Sequence, residues 1–116
     1  MLKKNIILSA KNRIKFELIK GTLNSSRKEM EALIARTAMS PFIREKKDFF
    51  TAILNQKGEL IVSTSLTLAG NLIQGIFEHY PYDTMSEGDL YIYNDCYSSY
   101  GAVSHLPDMV FVMPVF

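Results

Sequence analysis

A single segment of the chain carries the side chains best suited to binding a cation. Residues 94–108 contain two carboxylates and an imidazole, those of Asp95, Asp108 and His105. His105 and Asp108 are three residues apart and Pro107 restricts the link, so a ring nitrogen and a carboxylate oxygen can face one ion. An isolated histidine and aspartate at this spacing also occur in ordinary solvated loops. Metal ligation and simple solvation therefore both stay open for these residues.

Asp95 and Cys96 begin the same segment and allow several kinds of chemistry. Asp95 can join His105 as a ligand, orient the imidazole ring, or bond its own backbone in a turn, as Asn-Asp pairs commonly do. Cys96 can act as a nucleophile, but the sequence around it offers one histidine and no clear group to orient that histidine. The candidate catalytic residues are therefore His105 and Asp95.

Polar residues also collect in residues 40–48, between a predicted helix and a predicted strand. Arg44, Glu45 and Asp48 lie in this connection, a usual place for site residues on a rigid scaffold. Glu45 and its lysine neighbours also fit a solvated connection. Asp48 directly precedes Phe49. Of these polar residues, it is the one whose presence a solvated connection explains least.

A long amphipathic helix is predicted over residues 14–39. Apolar residues recur there at steps of three and four, the period of a helix with one apolar stripe. Four basic residues fall mostly off this stripe, namely Arg13, Lys20, Arg27 and Lys28. Pro41 prevents the helix from continuing. The stripe consists of Phe16, Ile19, Leu23, Met30, Leu33, Ile34 and Thr37.

A β-hairpin and a second helix are predicted next. The short apolar runs 49–54 and 60–63 flank a four-residue turn in which Gly58 can adopt the positive φ that the loop needs. Helical spacing of apolar residues over 71–80 predicts a helix that Pro81 ends.

Two further strands are predicted on either side of the candidate site. A strand over residues 90–93 precedes the loop 94–108, and a buried strand over 109–112 follows it. A loop of this length between strands is uncommon unless it is functional. Helices and antiparallel strands in this order indicate an α+β fold.

The composition is that of an ordinary globular domain. The chain has 116 residues, 47% hydrophobic and 22% charged, which excludes a disordered tail or a fibre. The longest apolar run, residues 109–116, is far shorter than the roughly 20 residues of a membrane helix, so we expect no membrane partner. Lone Cys96 and the short apolar run at residues 6–8 favour a cytoplasmic location. A chain ending on an apolar strand is expected to be a fragment of a longer protein.

Charge is divided between the two halves of the chain. Residues 1–58 contain all 13 Lys and Arg with 5 acidic residues, a net charge of +8, and residues 59–116 contain 7 acidic residues and no Lys or Arg. The basic residues are spread among acids along the predicted helix and lack an interleaved aromatic platform, so we expect no nucleic-acid partner. Carboxylates without neighbouring cationic side chains are available to a bound cation, or to pairing with the basic half.

Two blocks of the sequence resemble the hydantoinase B family. The first comprises residues 35–49, ARTAMSPFIREKKDF, continued by residues 52–60, AILNQKGEL. The second comprises residues 87–95, EGDLYIYND, then HLPD at 105–108 and PVF at 114–116. The blocks stand in the same order as in that family and at similar spacing, and the resemblance covers about residues 12–116. This family includes hydantoinase and 5-oxoprolinase B-type subunits and the large subunits of acetone and acetophenone carboxylases.

The resemblance implies an ATP-dependent enzyme built from two kinds of subunit. The kinase-like partner, of hydantoinase A type, uses ATP to phosphorylate the small-molecule substrate, and the B-type subunit completes hydrolysis of a cyclic amide or carboxylation of a ketone. Residues 1–116 are then the N-terminal part of a hydantoinase B-like domain, within a hetero-oligomer. The isolated chain is expected to be inactive.

The resemblance also implies a divalent metal site, with zinc, manganese and iron equally acceptable. Carried over residue by residue, the metal ligands are Asp48, His105 and Asp108, with at least one more ligand beyond residue 116. The inclusion of Asp48 rests on the resemblance alone.

The chain departs from the family pattern at two places. Cys96 follows Asp95 where members usually have proline, and residues 66–71, LTLAGN, lack the histidine found in many hydantoinase-type members. These departures favour a carboxylase-like or divergent member. A noncatalytic fragment and an interaction module whose strand 109–116 pairs with another chain are the alternative functions.

Overall fold

The computed structural model describes residues 9–64 and 70–116. The order of elements is a long helix, a short helix, a β-hairpin, a short helix and a second strand pair, which confirms the predicted α+β fold. The described residues form two compact units, one of residues 9–53 and 61–64 and the other of residues 54–60 and 70–116. Residues 6–8 and 66–69, noted in the sequence, lie outside the described residues.

Helix α1 (Ala10–Thr37) is the predicted long helix, and it begins four residues earlier than residue 14. Ser9 explains the earlier start, because its hydroxyl caps the helix by accepting a hydrogen bond from the Asn12 backbone N–H at 3.3 Å. The helix ends where Ala38 becomes extended, and Pro41 disfavours helical geometry just before it.

Most of the apolar stripe of α1 is exposed, and one basic residue of the helix is buried. Phe16, Ile19 and Leu33 are each more than half exposed, whereas Arg27 is only 7% exposed. Arg27, which the sequence places mostly off the stripe, is therefore the buried residue of this helix. Its guanidinium Nη1 donates to Glu31 Oε2 at 2.7 Å and to Thr51 Oγ1 at 3.4 Å, and such pairing is what permits a charge to be buried.

A short helix, α2 (Pro41–Arg44), lies within residues 40–48, which were predicted to form a connection. Proline occupies its first position, where the missing N–H breaks no helical hydrogen bond. The predicted hairpin follows as β1 (Ala52–Leu54) and β2 (Leu60–Ser63), which form a two-stranded sheet. Its turn contains Gly58 at a φ of +81°, as predicted.

The second unit contains α3 (Gln74–His79), the predicted second helix. It is shorter than residues 71–80 because the Asn71 side chain forms a turn, its Oδ1 accepting from the Ile73 N–H at 3.0 Å. The buried apolar side chains of the described residues all belong to this unit. They are those of Leu72, Ile73, Ile76 and Val103.

Strands β3 (Tyr91–Tyr93) and β4 (Val110–Val112) pair antiparallel on either side of the candidate site loop. Tyr91 pairs with Val112 and Ile92 with Phe111. Both strands lie where the sequence predicts them. The prediction that β4 is buried is wrong. Phe111 is exposed because successive side chains point to opposite faces, and only the face that includes Val110 and Val112 is partly covered.

No helix within residues 9–64 and 70–116 combines the length and the apolar character needed to cross a membrane.

Candidate functional site

His105 and Asp108 lie in contact at the end of loop 94–108. His105 Nδ1 and Asp108 Oδ2 are 3.0 Å apart, and the Asp108 backbone N–H donates to the His105 carbonyl at 3.1 Å, so one tight turn holds both residues. Their side chains are 71% and 57% exposed. A carboxylate that binds Nδ1 orients the ring and leaves Nε2 as the nitrogen available to a ligand.

Hydrogen bonds fix the loop that carries this pair. The Asn94 side-chain amide donates to the Leu106 carbonyl at 2.8 Å and ties the two ends of the loop together. Near the middle of the loop, the Tyr100 hydroxyl lies 2.7 Å from both carboxylate oxygens of Glu78 on α3. This hydrogen bond to a carboxylate raises the pKa of the Tyr100 phenol. The loop is therefore anchored to the helix as well as to its own strands.

Two glycines let the loop backbone pack closely within the second unit. A Cβ on Gly70 would lie 2.6 Å from the Ala102 backbone nitrogen, and a Cβ on Gly75 would overlap the Ser98 carbonyl oxygen. Neither position therefore has room for a side chain. Sequence reasoning did not single out these glycines, because their close neighbours are more than 20 residues away along the chain.

Ser99 is the buried centre of the loop, with 1% of its surface exposed. Its Oγ accepts a hydrogen bond from the Val103 N–H at 3.1 Å and lies 2.9 Å from the Cys96 carbonyl oxygen, which can receive its proton. Nothing in the sequence distinguishes Ser99 from neighbouring Ser98. The sequence signal that could have indicated a turn here is the glycine at position 101. Gly101 adopts a φ of +85°, which closes the turn around the Ser99 hydroxyl.

Ser99→Ala is expected to destabilise the chain by about 2 kcal/mol, since it leaves the buried Val103 N–H without a partner. Equilibrium urea unfolding of the variant measures this loss. Ser104→Ala is the matched control, because Ser104 is exposed and its loss should change stability by less than about 0.5 kcal/mol. Equal stability of the two variants would contradict the role given to Ser99.

Asp95 forms the turn that begins the loop. Its Oδ1 accepts a hydrogen bond from the Tyr97 N–H at 2.9 Å, and its Oδ2 accepts one from the Ser98 hydroxyl. These two bonds, the Ser98 bond foremost, lower the pKa of the Asp95 carboxyl below its ordinary value. The contacts support the turn-forming interpretation of Asp95, and its catalytic role stays a prediction.

Asp48 lies in the first unit and His105 and Asp108 in the second. Asp48 is exposed just after α2, where its backbone N–H donates to the Phe42 carbonyl at 3.1 Å. Within residues 9–64 and 70–116, no three His, Cys, Asp or Glu side chains converge as a metal centre would require. The ligand set of Asp48, His105 and Asp108 stays a prediction.

An open groove of about 790 Å³ borders the start of the loop in the second unit. Tyr80 and Tyr91 line it with ring centroids 5.2 Å apart, and Tyr93 lies beside them. Burial raises the pKa of the Tyr93 phenol. The carboxylates of Asp89 and Asp95 also line the groove, and residues 59–116 contain no Lys or Arg. Such a lining favours neutral or cationic small molecules over anions.

Comparison with known proteins identifies relatives over most of the chain. The family model described as hydantoinase B/oxoprolinase matches residues 12–116. A Pseudomonas sp. (strain NS671) protein assigned as the B-type subunit of a D-/L-hydantoinase is 32% identical over 111 residues, 89% of this chain and 18% of the relative. An uncharacterised protein of Methanocaldococcus jannaschii is 30% identical over 112 residues, 90% of this chain and 19% of the relative. No solved structure matches the chain.

The chain belongs to the hydantoinase B/oxoprolinase family, which confirms the resemblance drawn from its two sequence blocks. It spans about a fifth of the length of the curated relatives it matches. The matched range includes the loop with the His105 and Asp108 pair.

Proposed function

We propose that this chain is the metal-containing portion of a hydantoinase B-type subunit in an ATP-dependent enzyme. The enzyme hydrolyses cyclic amides of the hydantoin or 5-oxoproline type, or carboxylates ketones. The observation that carries the proposal is the His105 and Asp108 pair, 3.0 Å apart on an anchored, exposed loop within the family match.

An A-type subunit is the proposed partner in a hetero-oligomer. The Pseudomonas relative is named as one subunit of a hydantoinase, which supports an enzyme of several subunits. This chain has no G-x-x-x-x-G-K sequence of the kind that cradles phosphates, so the proposal assigns ATP use to the kinase-like partner. The B-type portion then receives the activated small molecule.

The donor groups of the pair fit a divalent ion such as zinc, manganese or iron, which take imidazole and carboxylate ligands. A bound divalent ion would supply Lewis acidity for polarising a carbonyl or enolate oxygen or for activating water. His105 presents Nε2, Asp108 holds the ring through Nδ1 or shares the ion, and Asp48 supplies a further carboxylate.

Metal content after dialysis, measured by elemental analysis of the full chain, tests this site. His105→Ala should lose bound metal. Asp108→Ala should lower affinity by about 10–100-fold, as loss of a carboxylate that orients a ligand does. Asp48→Ala should lower the metal occupancy. His79→Ala is the control, because His79 is an exposed residue in the last turn of α3 and should keep full occupancy.

Undiminished metal in the His105→Ala protein would overturn the site. Undiminished metal in Asp48→Ala alone would remove Asp48 from the ligand set and leave the pair in place. Far-ultraviolet circular dichroism of each variant separates lost metal from lost structure.

A noncatalytic interaction module is the second candidate function, favoured by the large apolar side chains that α1 and β4 expose. Turnover distinguishes the two candidates. Hydrolysis or carboxylation that requires ATP, the A-type partner and this chain supports the enzyme. Binding to a protein partner without metal and without turnover supports the module.

A further inference from the structure

The open groove of the second unit has a wall of aromatic rings. The Tyr80 and Tyr91 rings have centroids 5.2 Å apart and planes tilted by 52°, and Tyr93 lines the groove beside them. The faces of aromatic rings carry partial negative charge, which attracts a cation placed against them. We call this groove the tyrosine groove.

The tyrosine groove also holds a carboxylate in a fixed position. Asp89 lines the groove, and its Oδ2 accepts hydrogen bonds from the Ser86 N–H at 2.8 Å and from the Tyr91 hydroxyl at 3.2 Å. These bonds keep the carboxylate beside the Tyr91 side chain. The second oxygen, Oδ1, has lone pairs of its own that can accept from a ligand.

Most hydroxyl groups of the tyrosine groove already donate their protons within the chain. Five lining residues carry a hydroxyl, and four of these hydroxyls donate to an oxygen atom of the chain. The four bonds join Thr84 to the Pro81 carbonyl, Tyr93 to the Leu72 carbonyl, Tyr91 to Asp89, and Ser98 to Asp95. The groove therefore offers a ligand many acceptors and few hydroxyl donors.

The charge of the lining is negative. Asp89 and Asp95 contribute carboxylates, and in the described part of the chain the lining includes no lysine or arginine. His79 also lines the groove. An anion would meet carboxylates and few donors, whereas a ligand with a positive charge meets both carboxylates and ring faces.

Apolar side chains complete the tyrosine groove. Ile76 lines it and is 7% exposed, and Leu90 lines it as well. These side chains suit the carbon substituents of a ligand better than the hydration shell of an inorganic ion. The volume of about 790 Å³ lies within the range of small-molecule sites.

We propose that the tyrosine groove binds a small organic cation, an ammonium group with apolar substituents. The positive group lies against the rings of Tyr80 and Tyr91 and beside the Asp89 carboxylate, and the substituents contact Ile76 and Leu90. This binding needs no metal ion, so it goes beyond the metal-dependent activity proposed above.

Two probes of the same shape and different charge test the proposal. Choline carries a trimethylammonium group, and its neutral isostere carries a tert-butyl group in the same place. Each probe is titrated into the full chain at about pH 8, where an imidazole is ordinarily neutral, and binding is followed by the NMR signals of the tyrosine ring protons. Choline should bind about 10-fold more tightly than the neutral isostere.

Variants of the tyrosine groove should lower this preference. Tyr91→Leu keeps an apolar side chain and removes the ring, so it should weaken choline binding by about 5-fold and binding of the neutral isostere by less than about 2-fold. Asp89→Asn keeps the shape and removes the charge, and should weaken choline binding by about 3-fold. Tyr91→Phe keeps the ring and should retain most of the preference.

Two controls make the same replacements outside the tyrosine groove. Tyr97→Leu changes a residue that is 94% exposed, and Asp83→Asn changes an exposed residue of the turn Tyr82–Thr84. Both variants should bind choline as the unmodified chain does. Circular dichroism confirms that every variant is folded.

Three results would overturn the proposal. Equal affinity for choline and its neutral isostere would show that the groove has no preference for a cation. A loss of choline binding in Tyr97→Leu as large as that in Tyr91→Leu would place the cation outside the groove. Choline that causes no saturable change in the tyrosine signals would show that the groove does not bind an ammonium group.

Discussion

Gly75→Ala is expected to destabilise the chain by about 3 kcal/mol, whereas Gly21→Ala is expected to stabilise it by about 1 kcal/mol. A Cβ on Gly75 would overlap the carbonyl oxygen of Ser98 and lie 3.4 Å from its carbonyl carbon. These are backbone atoms that cannot rotate away. At Gly21, in the exposed middle of α1, a Cβ meets no atom within 4 Å, so alanine contributes its higher helix propensity alone.

The same substitution at two helical glycines therefore has opposite signs, and equilibrium urea unfolding of both variants measures them. If alanine acted only by restricting the unfolded chain, the free energy of unfolding of both variants would change in the same direction. A Gly75→Ala chain as stable as the unmodified chain would show that loop 94–108 does not pack on α3 as described.

The elements were predictable because their signals are local. The apolar period placed α1, and Gly58 with its flanking runs placed the hairpin turn. The predicted ends differ from the observed ends by a few residues, as at α3, where the Asn71 side chain shortens the helix. Each of these features depends on residues within about one turn of chain.

Burial was less predictable because it depends on residues distant in sequence. Arg27 is buried through Thr51, which is 24 residues away, and the sequence gives no sign that these two side chains meet. The period of α1 locates an apolar stripe without showing whether anything covers it. In the described residues most of the stripe is exposed, with Leu23 and Ile34 partly covered, and β4 likewise exposes Phe111.

In the candidate site, too, the features that depend on nearby residues were predictable and the others were not. A separation of three residues with an intervening proline was enough to suggest that His105 and Asp108 meet, and their side chains are 3.0 Å apart. The role of Ser99 was not predictable. Its hydroxyl reaches the Val103 N–H, four residues later, only once the chain between them has formed a turn. Asp48 was joined to the pair by family resemblance and not by any local pattern.

Glu31→Ala is expected to destabilise the chain by about 3 kcal/mol, because it leaves the Arg27 guanidinium buried without its carboxylate. Arg27 Nη1 lies 2.7 Å from Glu31 Oε2, and the two side chains are 9% and 25% exposed. The remaining partners are neutral: the Asn24 side-chain oxygen at 3.3 Å and the Thr51 hydroxyl at 3.4 Å. The partial exposure of Glu31 sets the expected loss at the low end of the range for buried pairs.

Glu29→Ala is the matched control, since it makes the same replacement on the same helix at an exposed residue and should change stability by less than about 0.5 kcal/mol. Arg27→Met should cost only about 1 kcal/mol, because it removes the buried charge and leaves an apolar chain of similar length. The order of losses is therefore Glu31→Ala, then Arg27→Met, then Glu29→Ala. If Glu31→Ala proves no more harmful than Glu29→Ala in urea unfolding, the guanidinium is solvated and does not join α1 to the start of the hairpin.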